Sequence, residues 1–477
     1  MPQAPAPDSP RISAAAFGLL LLVTFWLPLP FGSVTGLGRL ILESSAFTLL
    51  ALALASSASA HALRPAAAPL LAMLALLILG VFQVVPLPSA LLRRVSPEST
   101  RILSQASHVL GQEGKESSLP QTVSIARGDT HGALLEIAAF GALFVSSVLL
   151  NGTRRRRKVW VWTLVAAALF EVVYGVIGWI EGSDTILGTR ISTGAVPRVR
   201  GTFVNPDHFA GYLEIALCAA FGLLYAEILT GAGRHRADAR DLGARVEARL
   251  LPLALSVLLW ITVFGGILLS QSRGGVLAAI AATLLLAVLA WLRRRRRGSR
   301  RTLVALLGGA FALALLFSAG PVLERFLGSD PREMSNDTRA QLRALSARVE
   351  SRFPVFGTGL GTFRDAFVLV QPRNLVGVID HAHNDFVELK VTGGWIGFLA
   401  GLAGLLAAFQ GLAAARRRQP HRIESAFALA GIGALAALSV HALFDFNFVI
   451  PANPATLALM LGWAYAAAAD TSPAKPF

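Results

Sequence analysis

The sequence predicts an all-α, polytopic membrane protein with about twelve transmembrane helices. Of its 477 residues, 54% are hydrophobic and 15% are charged, whereas a soluble globular protein carries about 25% charged residues. The mean hydropathy is +0.60, and long apolar runs recur along the chain. These observations exclude a soluble enzyme.

Twelve apolar runs are candidate membrane spans, since about 20 apolar residues cross roughly 30 Å of hydrocarbon. The Ser-rich second run and the long tenth run fit this pattern least well. The single cysteine, Cys218, lies in the sixth run, so the chain has no internal disulfide and no CxxC motif. The predicted spans are residues 12–31, 39–57, 66–86, 131–150, 159–180, 207–229, 251–269, 275–292, 302–320, 385–414, 423–443 and 450–469.

The basic residues test this count independently. The formal net charge is +15, from 43 Lys and Arg against 28 Asp and Glu, and about half of the basic residues fall in four clusters. All four lie in alternate predicted loops, after spans four, six, eight and ten. Because basic loops stay cytoplasmic, both termini are expected inside and the odd-numbered loops outside. The clusters are residues 154–158, 234–249, 293–301 and 416–422.

This placement argues against a nucleic-acid partner, because the arginine runs are short juxtamembrane loops rather than a folded basic face. Contact with the anionic headgroups of membrane lipids is their expected second role. The predicted organisation has four parts. They are a disordered cytoplasmic N-terminus (1–11), N-terminal transmembrane helices (12–190) with an outer loop (87–130), a core (191–470) with an outer segment (321–385), and a cytoplasmic tail (471–477).

The outer segment contains a predicted amphipathic helix over residues 338–353. Its apolar side chains recur at helical spacing, from Leu342 to Phe353. Two placements are open: along the outer membrane–water boundary with the apolar face down, or packed on the tops of the other helices. The glycine-rich residues 357–363 lack the GK[ST] ending of a phosphate-binding loop and are expected to form a flexible loop.

The start of span ten places two histidines beside carboxylates. If the helix starts near His381, then His381, Asp385 and Glu388 share one face, and a neighbouring carboxylate can raise the basicity of a histidine. The alternative is a helix cap, with Asn384 or Asp385 at the N-cap position and the histidines in solvent. The density of polar groups around His383 favours a functional site.

Two further groups of polar residues lie at the outer ends of predicted spans, like the histidines of span ten. Arg273 stands in the hairpin between spans seven and eight, and an arginine near hydrocarbon usually faces a cavity or an anion. A snorkelling or purely topological arginine is the alternative. His441 and Asp445 are four residues apart at the outer end of span eleven. We expect them to form a hydrogen-bonded structural pair, with support of a site as the alternative.

The charge-derived topology places polar residues from four separate stretches at the outer face. Arginine binds phosphate and pyrophosphate through two parallel charge-assisted hydrogen bonds, and histidine is a general base for a hydroxyl near neutral pH. The set therefore predicts a site that holds a polyanion and moves a proton. Its members are Arg198, Arg200, Arg273, His381, His383, Asp385, Glu388, His441 and Asp445.

One reaction class suits such a site. An acceptor hydroxyl, deprotonated by a histidine, attacks a sugar linked to a lipid pyrophosphate, while arginines stabilise the departing pyrophosphate. The sequence has no DxD or HExxH motif that would hold a divalent ion. Arginine, rather than a metal ion or another cofactor, is therefore the expected counter-charge.

Several short motifs follow one another in the second half of the chain. They are Arg-x-x-Gly201-Thr-Phe-x-Asn205-Pro-x-His-Phe-Ala-Gly211-Tyr-Leu, Ser272-Arg273-Gly274, Pro354-x-x-Gly357-x-Gly359-x-Gly361-x-Phe363, His381-x-His383-Asn384 and His441-x-x-x-Asp445. Their order and predicted topology resemble the O-antigen ligase and polymerase family of bacteria. The resemblance covers residues from about 190 to 470.

This resemblance implies a GT-C type membrane glycosyltransferase of the bacterial inner membrane, with a periplasmic helical segment over the site. Such enzymes transfer a glycan from undecaprenyl pyrophosphate to an acceptor hydroxyl, on lipid A-core or on a growing glycan, without a metal and with inversion. The resemblance maps pyrophosphate binding to Arg198 or Arg200 and to Arg273, and places Arg339 at the start of the periplasmic helix. It maps the catalytic base to His383, with His381 as the second choice.

The remaining polar residues are expected to support the site. They are Asn384, Asp385, Glu388, His441 and Asp445. Two departures from the family pattern leave acceptor recognition open. Asp207 stands where a second asparagine is frequent, and Leu342 and Arg343 stand where a tryptophan frequently follows the helix arginine.

The family also includes protein O-oligosaccharyltransferases and polysaccharide polymerases, so the sequence leaves ligase, polymerase and protein glycosylation open. A transporter or flippase of lipid-linked sugars is the alternative from another class. Transporters commonly place polar residues near the bilayer midplane in paired repeats. Here the polar residues gather at one face, and no repeat between the two halves is detected, which favours the glycosyltransferase.

Overall fold

The computed structural model describes residues 10–56, 60–109, 120–191, 198–231, 242–292, 308, 309, 312, 336–373, 375, 377–418 and 423–469. These residues form an all-α membrane architecture, as predicted. A short antiparallel ribbon of β1 (Thr185–Ile186) and β2 (Thr189–Arg190) lies between α7 and α8. The described helices are α1 (Pro10–Trp26), α2 (Gly36–Ser56), α3 (Ala67–Val84), α4 (Ser89–Val95), α5 (Pro97–Val109), α6 (Arg127–Leu150), α7 (Arg154–Ile180), α8 (Pro206–Gly231), α9 (Leu242–Leu269), α10 (Arg273–Leu292), α11 (Asn336–Arg352), α12 (Phe363–Val368), α13 (Asp385–Arg418), α14 (Ile423–His441) and α15 (Ala452–Ala469).

Eleven of the twelve predicted spans correspond to a described helix. Within the described residues, nine helices are long and apolar enough to cross a membrane, and α1 is apolar but has only 17 residues. The first helix ends at Trp26 rather than at residue 31, because Pro28 and Pro30 lack the N–H groups that would continue it. Pro10 and Arg11, predicted to be disordered, already belong to α1.

Several predicted features lie outside the described residues. These are most of the ninth span (302–320), the tails at 1–9 and 471–477, the outer stretch 321–335 and the basic cluster 293–301. The side chains of the cluster 234–249 are likewise not described.

Local sequence explains where several helices begin. Proline occupies the first position of α1, α5 and α8, where its missing N–H would be unsatisfied in any helix. The hydroxyl of Thr153 caps α7 by accepting a hydrogen bond from the backbone N–H of Arg156. Helices α8 and α14 form the centre of the bundle, and almost all of their described side chains are buried.

The described basic clusters meet at one end of the bundle, called here the basic end. Arg154 at the start of α7 forms an ion pair of 2.9 Å with Glu424 at the start of α14. Arg156 reaches the first turn of α1. Arg416, near the end of α13, donates to the carbonyl of Leu289 in the last turn of α10. These contacts place the start of α7 and the ends of α10 and α13 on the same side of the bundle, in agreement with the charge pattern.

The described residues of the predicted outer loop 87–130 form α4, α5, an irregular stretch (120–126) and the start of α6. The ring of Phe82 in α3 lies 4.8 Å from that of Phe356, centroid to centroid. The N–H of Ile125 donates to the carbonyl of Thr358 at 3.0 Å. This loop therefore packs on the glycine-rich turn of the outer segment and is part of one outer layer.

The apolar stripe of the outer helix is confirmed, and it is buried in protein. The stripe on α11 packs against α12 and the first half of α13, so packing on other helices is the correct placement of the two predicted. The buried stripe residues are Leu342, Leu345, Val349 and Phe353.

The glycine-rich turn is not the flexible loop that the sequence predicts. Its Thr358 N–H donates to the carbonyl of Val391 at 3.0 Å, and its Gly359 N–H donates to that of Thr392 at 3.0 Å. The N–H of Leu360 donates to the side chain of the fully buried Gln83 at 2.9 Å. Glycine composition suggested mobility, but here it permits close contact between two backbones. We call residues 354–360 the glycine splint.

The splint lies against a break in α13. Gly394 has φ 62° and ψ −164°, which interrupts the helix. The N–H groups of Trp395 and Ile396, which lose their helical acceptors, donate to the carbonyls of Pro354 (2.8 Å) and Val355 (3.2 Å) in the splint. Because hydrocarbon offers no hydrogen bonds, irregular backbone in a span needs such protein partners.

The break predicts a strong requirement for glycine. A Cβ at Gly394 would overlap the carbonyl of Val355, and its positive φ is strained for any L side chain. We expect Gly394→Ala to destabilise the purified protein by about 1–3 kcal/mol, seen as a lower thermal unfolding temperature in detergent. The control is Gly132→Ala in α6, where a Cβ meets nothing within 4 Å. Equal stability of the two variants would contradict the splint.

Candidate active site

The loop before α13 carries both predicted histidines. The helix begins at Asp385 rather than near His381, and Asn384 caps it: the Asn384 Oδ1 atom accepts the N–H of Val387 at 3.0 Å. The predicted cap is therefore confirmed for Asn384, and the predicted helical face that included His381 is wrong. His383 has φ 49°, a left-handed conformation that turns the chain immediately before the cap.

Hydrogen bonds of Asp385 and Asn384 hold this loop to the α14–α15 connection. The N–H of Asp385 donates to the carbonyl of Ala442 at 3.0 Å, and the Asn384 side chain donates to the carbonyl of Leu443 at 2.9 Å. The carboxylate of Asp385 also accepts the N–H of Phe448 at 3.1 Å. Asp385 and Asn384 therefore join the two connections that carry the histidines and Asp445.

His383 is hydrogen-bonded to Asp445 through Nδ1, at 3.1 Å from Oδ1. The Asp445 side chain is 4% exposed, whereas that of His383 is 21% exposed and can be reached from outside. Burial alone would raise the pKa of Asp445, but the hydrogen bond to His383 and the electrostatic interaction with the neighbouring histidines lower it below its usual range. A buried carboxylate thus fixes one ring nitrogen of His383 and leaves Nε2 for chemistry.

His381 forms a second histidine–carboxylate pair beside the first. Its Nδ1 lies 3.0 Å from Glu388 Oε1, and Glu388 Oε2 accepts the N–H of Ala382 at 3.1 Å. Burial would lower the pKa of His381, but the hydrogen bond and the negative charge of Glu388 outweigh it, so this pKa is raised. His381 is accordingly suited to carry a positive charge.

A third histidine joins the first two around the ring of Phe446. The ring of His381 stacks on Phe446 at 4.2 Å between centroids, and the rings of His383 (4.9 Å) and His208 (4.6 Å) meet it edge to face. His208 comes from the first turn of α8 and is buried. Sequence reasoning missed its place in the site, although it stands in the motif that follows Asn205.

His441 pairs with a residue that the sequence analysis did not consider. Its Nδ1 lies 2.7 Å from Glu214 Oε1 in α8, and both side chains are almost fully buried. The predicted hydrogen bond between the side chains of His441 and Asp445 is wrong, because each faces a different partner. The sequence did contain a sign of the role of Glu214, because an ionisable residue inside a predicted apolar span often has a function.

Arg273 begins α10 next to this buried pair. A Cβ at the following residue, Gly274, would lie 2.9 Å from His441 Cδ2 and 3.0 Å from Nε2. A Cβ at Gly275 would lie 2.6 Å from that of Ala210 in α8. Two glycines thus let the start of α10 approach α8 and α14 closely. Arg273 therefore lies at the same end of the bundle as the histidines.

The two alternative arginines before α8 have different surroundings. Arg198 forms an ion pair of 3.3 Å with Asp207, the residue before His208. Arg200 is half-buried and lies within the electrostatic reach of Asp184; burial lowers the pKa of its guanidinium, which Asp184 opposes. Arg198 is therefore paired with the residue next to His208 in the chain, whereas Arg200 interacts with Asp184, next to β1.

Arg339 lies in the first turn of α11 and is half-buried; its part in the site stays a prediction. Among the described residues, no three or more His, Cys, Asp and Glu side chains are arranged to hold a metal ion. The described site thus consists of cations, histidines and carboxylates, gathered at the end of the bundle opposite the basic end.

Comparison with known proteins adds an independent finding. Residues 257–402 match the family model described as O-antigen ligase. No curated protein matches the chain significantly. The matched stretch includes Arg273, Arg339 and both histidines of the α13 loop, and it ends before His441. This stretch of the chain is therefore similar to the O-antigen ligase family, in agreement with the apolar helices and with the order of the motifs.

Proposed function

We propose that the protein transfers a glycan from undecaprenyl pyrophosphate to an acceptor hydroxyl, with His383 as the general base. The observation that carries this proposal is the 3.1 Å hydrogen bond between His383 Nδ1 and the buried carboxylate of Asp445. When Nδ1 carries the proton and Asp445 accepts it, Nε2 has a lone pair for a substrate proton. The carboxylate then stabilises the imidazolium that forms.

The proposed step is a single displacement. The acceptor O–H gives its proton to His383 Nε2 as the oxygen bonds to the anomeric carbon of the donor sugar. The bond from that carbon to the pyrophosphate oxygen breaks, and its electron pair leaves with the pyrophosphate. Attack opposite the leaving group inverts the anomeric configuration. This scheme needs a cationic site for the pyrophosphate and no metal ion.

Arginine is the cation we assign to the pyrophosphate. Arg273 is supported by its position beside His441, and Arg198 by its ion pair with Asp207 beside His208. A planar guanidinium offers two parallel donors to phosphate oxygens and stays charged. Arg200 and Arg339 are proposed as additional contacts to the donor, and His381 as a second, positively charged group at the same end.

The orientation follows from the basic end. Because basic loops remain in the cytoplasm, we place both termini there and the histidines at the periplasmic face of the bacterial inner membrane. Lipid A-core, a growing glycan and a protein hydroxyl are the candidate acceptors.

Transport of a lipid-linked sugar is the second candidate, and the break in α13 is the observation in its favour. Discontinuous helices are typical of transporter sites. Here, however, the freed N–H groups of Trp395 and Ile396 are already bonded to the glycine splint. The break therefore offers fewer groups to a ligand than a transporter site does, and the outer histidine cluster favours transfer.

The histidine–aspartate pair gives the first functional prediction. We expect His383→Ala to abolish transfer and Asp445→Asn to lower kcat about 100-fold or more, because an asparagine amide favours the tautomer with a proton on Nε2. The measurement is glycan transfer by purified protein. His131→Ala, at an exposed position of α6, serves as the control. Undiminished transfer by His383→Ala would refute the assignment of the base.

Arg273 provides a second prediction. Arg273→Lys should lose about 90% or more of the transfer activity, because a single ammonium cannot reproduce the planar fork of a guanidinium. The same change at the exposed Arg94 of α4 should have no effect. If Arg273→Lys turned over normally, Arg273 would be a topological signal rather than a ligand of pyrophosphate.

The nature of the acceptor is tested by one assay in three arms. Labelled undecaprenyl-pyrophosphate glycan is incubated with purified protein alone, with lipid A-core, or with an acceptor protein. Product on lipid A-core identifies a ligase, lengthened lipid-linked glycan identifies a polymerase, and labelled protein identifies protein glycosylation. Release of undecaprenyl pyrophosphate in any arm excludes pure transport, whereas its absence in all arms refutes the proposed reaction.

A further inference from the structure

The loop that carries Arg198 and Arg200 packs closely against α7 at two glycines. A Cβ at Gly175 of α7 would lie 2.7 Å from the N atom of Gly201 in the loop. Gly201 has φ 54°, and a Cβ there would overlap the carboxyl group of Glu171. The loop backbone therefore packs directly on α7 at Gly175, which lies one helical turn after Glu171.

Glu171 makes two hydrogen bonds to this loop. Its side chain is 0% exposed. The N–H of Thr202 donates to Glu171 Oε2 at 2.7 Å, and Thr202 Oγ1 lies 2.8 Å from Glu171 Oε1. The same hydroxyl lies 2.8 Å from the carbonyl oxygen of Pro28, in the turn after α1. Glu171 and Thr202 thus connect α7, the arginine loop and the α1–α2 turn.

The number of protons decides the charge of Glu171. The Thr202 hydroxyl has one proton and two oxygens at 2.8 Å. The Pro28 carbonyl can only accept, so the Thr202 proton points to Pro28 if both contacts are hydrogen bonds. The second contact then needs a proton on Glu171, donated to Thr202 Oγ1. A carboxylic acid satisfies every contact, whereas a carboxylate leaves two acceptors competing for one proton.

The surroundings of Glu171 favour the neutral form. In the described part of the chain, the groups that face it are the N–H and hydroxyl of Thr202 and the phenol of Tyr212, and none of these is a cation. A buried carboxylate without a cation is expensive, since burial disfavours the charged form. A neutral acid needs no such compensation.

We propose that Glu171 is a positioning residue that holds the arginine loop in place as a protonated acid, donating to Thr202 while it accepts the Thr202 N–H. This proposal rests on the proposed function, in which Arg198 and Arg200 bind the donor pyrophosphate. Glutamine has the same shape as a protonated glutamate, with one donor group and one acceptor atom. We call the paired contacts between Glu171 and Thr202 the latch. A glutamine at position 171 should therefore preserve the latch, although it removes the carboxylic acid.

The test compares four variants of the full-length protein in detergent. We expect Glu171→Gln and Thr202→Ser to keep transfer within about twofold of the parent, because every hydrogen bond can still form. Glu171→Leu and Thr202→Val remove the shared hydrogen bond and should raise the KM for the lipid-pyrophosphate donor about tenfold, with a smaller change in kcat. Glu181→Leu, an exposed acid at the end of the same helix, is the control.

Hydrogen exchange of the 198–205 peptide gives a readout independent of catalysis. Exchange should stay slow in the Gln and Ser variants and become at least about tenfold faster in the Leu and Val variants, because the loop loses its hold on α7. If Glu171→Leu does not fold, Thr202→Val carries the comparison.

Two results would overturn the proposal. A Glu171→Gln variant as impaired as Glu171→Leu would show that an ionised carboxylate is needed. Unchanged exchange and unchanged donor KM in Thr202→Val would show that there is no latch. A parent protein that releases no undecaprenyl pyrophosphate would refute the proposed function instead, and the exchange comparison would still decide the latch.

Discussion

A polar group inside a membrane must find its hydrogen-bond partner within the protein, because hydrocarbon provides none. This constraint governs the arrangement of the described helices. The break at Gly394 is tolerated because the carbonyls of Pro354 and Val355 accept the N–H groups that the break releases. Glu214 is tolerated because it meets His441, and Glu171 because it meets Thr202. Each polar intrusion therefore fixes a contact between distant parts of the chain.

Hydrogen bonds also connect the segments that form the histidine end. Asp385 and Asn384 donate hydrogen bonds that join the loop before α13 to the α14–α15 connection. The rings of His381 and His383 pack against Phe446 in that connection. The proposed proton transfer to His383 requires a geometry held within a fraction of an ångström. The hydrogen bonds of Asp385 and Asn384 favour such a fixed geometry.

Different features of the fold were predictable to different degrees. The helices were predictable, because an apolar run of span length has few alternatives. Clusters such as Arg154 and Arg416 predicted the shared basic end, which the Arg154–Glu424 pair supports. The glycine-rich turn was mispredicted, since glycine permits both mobility and close backbone contact, and only the facing carbonyls of Val391 and Thr392 decide between them. The start of α13 was misplaced because a cap and a helical face use the same residue types.

By itself, the sequence determined the class of the protein, most of its membrane-spanning helices, the grouping of polar residues at one end and the family that its motifs resemble. These properties depend on composition and on order along the chain. Only the tertiary structure decided the partners: His383 with Asp445, His441 with Glu214, and Glu171 with Thr202. Pairing depends on distances between residues that lie 31 to 227 positions apart in these contacts, and such distances are set by how helices pack.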